Sequence, residues 1–240
     1  MTMKVTDTNT PSIMKRFTII LGFLLGMNLQ AQQTSFLKVD YTAIETAVAS
    51  AASPFYFPAL FARYRNADTT LGMEEFRYLY YGFTFQENYQ PYKRPEAESA
   101  IQELMQHDTL TSDDFTVIRS HGLDILIQHP FSTRYLLTSA IACTQLSRHE
   151  EARKYYFQYE RLISTILSSG DGATEQSAWS VILISDEAEL ISALGFQRTG
   201  QQKMLGKSLC DFVYVGDNKY DIDGFYFDIS RLFSGAGVGE

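Results

Sequence analysis

The sequence predicts an α+β protein in which helical hairpins come first and a small sheet comes last. Two observations carry this. Up to about Gly170 the apolar residues recur at helical spacing, and beyond it they form short runs that are apolar on both faces or alternate strictly. The chain is also 45% apolar, which supplies a core and argues against disorder.

The N-terminal elements follow in order. Met14-Lys15-Arg16, the uncharged apolar run 17–27 and the small residue Ala31 have the form of a signal peptide. The run is shorter than the roughly 20 residues that cross a bilayer. The sequence therefore predicts a signal peptide over 1–31, cleavage after Ala31, a periplasmic or secreted chain, and no membrane span in the mature part. Residues 36–52 carry Leu37, Tyr41, Ile44 and Val48 at helical spacing, and Pro54 ends them. A short piece at 58–64 precedes Asp68-Thr-Thr-Leu-Gly-Met-Glu-Glu75, whose Gly72 and two carboxylates suit the start of a helix running from Met73 to about Phe85. Pro91 and Pro95 mark a loop, followed by helices over 96–106 and over 113–127, the latter capped from Thr111.

Residues 131–146 and 149–167 form the clearest helix pair. Leu136, Ala140, Ala152 and Tyr156 match the large–small–small–large spacing of a tetratricopeptide-type hairpin, although Tyr159 and Ser164 depart from it. One such unit predicts repeat-like hairpins without a regular solenoid. The helical region thus covers 32–170.

A small sheet region over 171–233 is expected to pack on it, with a flexible tail at 234–240. Strands are predicted at 179–184, 196–206, 209–215 and 225–229, with a helix from Ser185-Asp186 to Leu194, giving the order β-α-β-β-β. Cys143 and Cys210 read as two buried thiols, with a bridge between them as the alternative that an oxidising compartment permits.

Chemistry is less legible. No Gly-x-Ser-x-Gly elbow and no familiar Ser–His or Cys–His spacing occurs, His107, His121, His129 and His149 are scattered, and no zinc spacing or cofactor motif is present. Asp186 and Glu187 follow a buried strand, where carboxylates either cap a helix or serve a site. Asp211 interrupts an apolar strand and needs a partner, with Lys207, Arg198 or Arg231 as choices. With Asp228 it would make a carboxylate pair for acid/base work. Asp217, Asn218, Asp221 and Asp223 offer oxygens in the last hairpin, but the spacing of a calcium loop is missing, so a plain turn is expected.

The stretch 75–92 contains eight aromatic residues in eighteen. Within its helix, Phe76, Tyr80 and Phe83 share one face while Tyr78, Tyr81 and Phe85 share another, which predicts core. The hydroxyls of Tyr80 and Tyr81 then need partners, for which Arg63 and Asp68 are in reach along the chain. Tyr89, Pro91 and Tyr92 fall in the following loop and are expected to form a surface that holds a peptide or sugar ring. Tyr80, Tyr81 and Arg63 are the residues placed next to it.

Ser53-Pro54-Phe55-Tyr56-Phe57-Pro58, Arg63-Tyr64, Asp68-Thr-Thr-Leu71 and Leu79-Tyr-Tyr-Gly-Phe-Thr-Phe-Gln-Glu-Asn-Tyr-Gln-Pro-Tyr92 resemble an uncharacterised family of exported bacterial proteins, a domain of unknown function. Ser169-Gly-Asp-Gly172, Ser185-Asp-Glu187, Cys210-Asp211 and Tyr226-Phe-Asp228 extend the resemblance over nearly the whole mature chain. It implies a Gram-negative envelope or secreted location and brings no activity, cofactor or catalytic residue with it.

The net charge of −8, without basic runs, argues against nucleic acid and anionic lipid as partners. The expected function is accordingly that of a non-enzymatic accessory factor that binds a protein or peptide through its helical hairpins. The alternative is a hydrolase or glycan-processing factor that uses Asp186, Glu187, Asp211 or Asp228.

Overall fold

The structure is a computed structural model that describes residues 36–206 and 208–233. The signal peptide expected over 1–31 and the tail expected over 234–240 lie outside the described residues. The fold is α+β: about nine helices are described, most of them packed in pairs in the N-terminal part, and a small mixed four-stranded sheet lies near the C-terminus.

The helices are α1 (Tyr41–Ala49), α2 (Phe57–Arg65), α3 (Met73–Gly82), α4 (Glu98–Leu104), α5 (Ser112–Gln128), α6 (Thr133–Gln145) and α7 (His149–Leu167). In the C-terminal part, β1 (Trp179–Ser180), α8 (Ile184–Ala193), β2 (Arg198–Leu205), β3 (Cys210–Val215), β4 (Gly224–Asp228) and the short α9 (Ser230–Phe233) follow in the predicted order. The sheet order is β1-β4-β3-β2, with β1 parallel to β4 and the other pairs antiparallel.

Several boundaries differ from the expectation for local reasons. The first helix starts five residues late because Asp40 caps it, accepting from the Ala43 amide at 3.0 Å. The aromatic helix stops at Gly82 and continues as one 3₁₀ turn over Phe83–Phe85.

The first strand, expected over 179–184, has only two residues. Val181 N–H still donates to Asp228 O at 3.1 Å, after which tyrosines replace a neighbouring strand. Ile182 N–H donates to the Tyr80 hydroxyl at 3.2 Å, and Ile182 O accepts from the Tyr89 hydroxyl at 2.8 Å. Buried backbone groups must find partners, and here side chains supply them, so the chain leaves the sheet and enters α8 at once.

Helix α3 sits at the centre. Phe76, Leu79, Tyr80 and Tyr81 are each 0% exposed, so both aromatic stripes face protein. Val48 of α1 lies so close that a Cβ at Gly82 would stand 2.7 Å from its Cγ1, a separation only glycine permits. Tyr78 stacks on Phe55 with centroids 3.8 Å apart, and Phe83 meets Phe131 at 4.9 Å.

The Asp68-Thr-Thr-Leu segment has its own physical account. Asp68 Oδ1 accepts from the Thr70 amide and hydroxyl, and Arg63 bridges Asp68 (2.7 Å), Thr70 (3.0 Å) and Glu75. Glu75 in turn accepts from the Gly72 amide at 2.7 Å, closing the N-terminus of α3. In the pair α6–α7, Ala140 and Ala152 are buried between the helices.

Candidate binding cleft

The chemistry-bearing residues fall into a buried polar knot, an open cleft above it and a separate groove among the helices. Asp186 is the centre of the knot. It is 0% exposed and accepts from the Tyr80 hydroxyl (2.7 Å) and the Thr133 hydroxyl (2.7 Å), tying α8 to α3 and α6. Asp186 thus bridges three helices and does not cap its own. Burial raises its carboxyl pKa to about 7, against the pull of the Thr133 and Tyr80 hydrogen bonds. Tyr81 donates to Ser180 O at 3.3 Å. The hydroxyls of Tyr80 and Tyr81 therefore find their partners in the C-terminal part, while Arg63 and Asp68 are engaged with each other.

Glu187, next on α8, is also fully buried, and among the described residues neither of its carboxyl oxygens has a hydrogen-bond partner. Burial and then the neighbouring Asp211 raise its pKa to about 8, with Arg198 opposing. Asp211 is 2% exposed and, among the described residues, receives only a long 3.4 Å bond from the Gln202 amide and leaves Oδ1 unpartnered. Burial raises its pKa too, and Arg198 is the cation that lowers it.

Asp228 stands apart from this group. Asp211 is cross-strand partner to Phe227, and Asp228 to Cys210, so the two carboxylates project from opposite faces of the sheet. Asp228 instead accepts from the Ser230 amide at 3.0 Å and the Ser180 hydroxyl at 3.3 Å. In the last turn, Asn218 is the staple: its amide donates to Gly216 O and Ile222 O, and its Oδ1 accepts from the Tyr220 and Ile222 amides. Asp217, Asp221 and Asp223 are exposed around it. Among the described residues no group of three or more acidic, His or Cys side chains is placed to hold a metal ion.

The cleft, of about 300 Å³, opens where the loop 91–95 faces the N-terminus of α8. Pro91 and Tyr92 line it, and Tyr92 is 55% exposed, while Tyr89 is half-buried and anchors the loop through Ile182 O. Lys93, Arg94, Arg134 and Arg198 also line it, with Glu98 as the single lining carboxylate among the described residues. Arg94 pairs with Glu98 at 2.9 Å and Arg134 with Glu189 at 3.0 Å. Glu98 also accepts from the Tyr135 hydroxyl at 2.9 Å. His129 completes the wall; it is buried, its Nε2 has no partner among the described residues, and burial and Lys93 hold its pKa below the usual value while Glu98 opposes.

Sequence reasoning singled out Pro91 and Tyr92 but missed this basic lining. Lys93-Arg94 between two prolines was the one local signal; Arg134 and Arg198 come from distant elements and meet only in the fold.

The groove, of about 340 Å³, runs between α2, α5, α6 and α7 and is lined by Phe61, Leu126, Leu136, Tyr155 and Gln158. Leu123 (43% exposed) and Ile127 (69%) stand one helical turn apart along its α5 edge.

The profile of the domain of unknown function DUF4919 matches residues 42–236, and the chain belongs to that family. No curated protein and no solved structure matches the chain.

Proposed function

We propose that this chain is an exported, non-enzymatic accessory factor of the bacterial envelope that binds an apolar-anchored peptide segment of a partner protein in the groove among its helical hairpins. The observation that carries this reading is the exposed pair Leu123 and Ile127 beside an apolar groove of about 340 Å³. Large aliphatic side chains left in water beside a concavity mark interaction surfaces, and a groove bounded by helices accepts a partner's apolar anchors at one-turn spacing. Arg65 and Lys154 at the rim would meet acidic flanks of such a segment.

The hydrolase reading has weaker support. Two-carboxylate hydrolysis needs both groups beside an open substrate site, whereas Asp186, Glu187 and Asp211 are buried and Asp228 is on the far face from Asp211.

The test is selection of random displayed peptides against the purified chain, followed by affinity measurement on Leu123→Asp and Ile127→Asp. Both positions are exposed, so melting temperatures should hold. Selected peptides should share apolar residues three or four apart and lose about tenfold or more in affinity, the equivalent of about 1.4 kcal/mol. Peptides that bind both variants as tightly as the parent chain sink the proposal.

A further inference from the structure

We propose that the cleft between the loop 91–95 and the N-terminus of α8 is a binding site for a small oxyanion-bearing molecule, a carboxylate or phosphate carried on a ring that stacks on Tyr92. The site is separate from the helical groove, and the inference does not depend on what that groove binds.

Three independent features converge. First, four cations line the cleft against one lining carboxylate, on a chain whose net charge is −8. Glu98 engages Arg94 and Tyr135, and Glu189 takes Arg134, which leaves Lys93 without an ion pair among the described residues and Arg198 bonded only to the neutral Gln202 at 3.2 Å. Glu187 and Asp211 sit near Arg198, yet among the described residues neither forms an ion pair with it.

Second, Ile184 and Ser185 of the ten-residue helix α8 line the same cleft. The first amides of a helix have no intrahelical acceptor, and with the positive end of its dipole they favour an anion.

Third, His129 is only 8% exposed and, among the described residues, its Nε2 lacks a partner. A buried polar atom left unsatisfied is costly; His129 lines the cleft with Nε2 closed to solvent, so a small shift of this wall on binding would bring a ligand oxygen within its reach. The neutral imidazole would donate Nε2–H to it. Beside these groups Tyr92 and Pro91 offer an exposed ring and a flat apolar edge, so the ligand's second recognition element is a ring face.

Titration calorimetry with benzoate, phenyl phosphate, inorganic phosphate and the neutral benzyl alcohol tests the idea and separates a carboxylate from a phosphate source. At least one aromatic anion should bind in the millimolar range or tighter, benzyl alcohol should not, and added salt should weaken binding. Lys93→Ala and Arg198→Gln, both at exposed positions, should each weaken the preferred anion by about tenfold, the equivalent of about 1.4 kcal/mol. Tyr92→Ala should erase the advantage of phenyl phosphate over inorganic phosphate or lower the affinity for benzoate, and Lys219→Ala, outside the cleft, should change nothing. A spectrum in which the His129 ring resonance moves on titration with the preferred anion completes the expected result. The proposal is overturned if no anion binds, if benzyl alcohol binds equally well, or if the Lys93 and Arg198 variants bind as the parent chain does.

Discussion

Glu187 shows how a single buried carboxyl ties stability to pH. Its folded pKa of about 8 lies above the ordinary glutamate range because burial, and next Asp211, disfavour the charged form. The folded chain therefore holds a proton there that the unfolded chain has already released. The stabilising contribution is complete below about pH 4.3, the ordinary glutamate value, and is lost progressively as the pH rises towards 8. Asp186, with a pKa of about 7, acts in the same direction over a narrower window. Each pH unit inside the window costs about 1.4 kcal/mol per proton of difference. Glu187→Gln removes the ionisation and keeps the shape of the side chain. The variant should match or slightly trail the parent chain at pH 5 and exceed it by a few kcal/mol at pH 8.5. Denaturant unfolding at both pH values decides this, and parallel pH profiles for the two chains would refute the assignment.

Helix α3 is where sequence and structure can be compared element by element. Its two aromatic stripes were legible from spacing alone, and they left two outcomes, a helix surrounded by protein or rings left exposed, of which the first is found. The partners of its hydroxyls were not legible. Arg63 and Asp68 are near in sequence, yet Tyr80 reaches Asp186 and Tyr81 reaches Ser180 O, about a hundred residues further along the chain. Periodicity reports which face of an element is buried; it carries no information on which distant polar atom waits there. The shortened β1 has the same cause, since the run 179–184 is apolar enough for a strand and only Tyr80 and Tyr89 make the early exit possible. The cationic cleft was hidden likewise, because its lining is assembled from the loop 91–95, α6 and β2. Phe83, 3% exposed and in contact with Phe57, Tyr89 and Phe131, is the cleanest probe of this element. Phe83→Ala should cost about 3–5 kcal/mol by the behaviour of buried phenylalanines. Tyr92→Ala, at a position 55% exposed, should stay within about 0.5 kcal/mol of the parent chain. Chemical denaturation of both variants measures this, and a neutral Phe83→Ala alongside an unfolded Tyr92→Ala would mean that core and surface were exchanged.

On the scale of the whole molecule, an acidic chain carries a basic cleft and, among the described residues, two unpaired thiols. Net charge of one sign keeps the chain soluble while opposite charges gathered in a concavity focus the local field on a small anion, so overall charge and local preference differ without contradiction. Free cysteines are a liability in an oxidising compartment. Cys143 and Cys210 are 0% and 3% exposed, and burial raises both thiol pKa values, so little reactive thiolate is presented to an oxidant. Removal of residues 1–31 would leave the DUF4919 match at 42–236 untouched. If the chain is exported as proposed, the mature protein should start at Gln32 and carry two free thiols. Intact-mass analysis reads the first point, and alkylation with and without denaturant reads the second. Both cysteines should be modified only once the protein is unfolded. A recovered chain that retains residues 17–27 would sink the export reading, and rapid alkylation of the folded protein would remove the argument that burial protects its thiols.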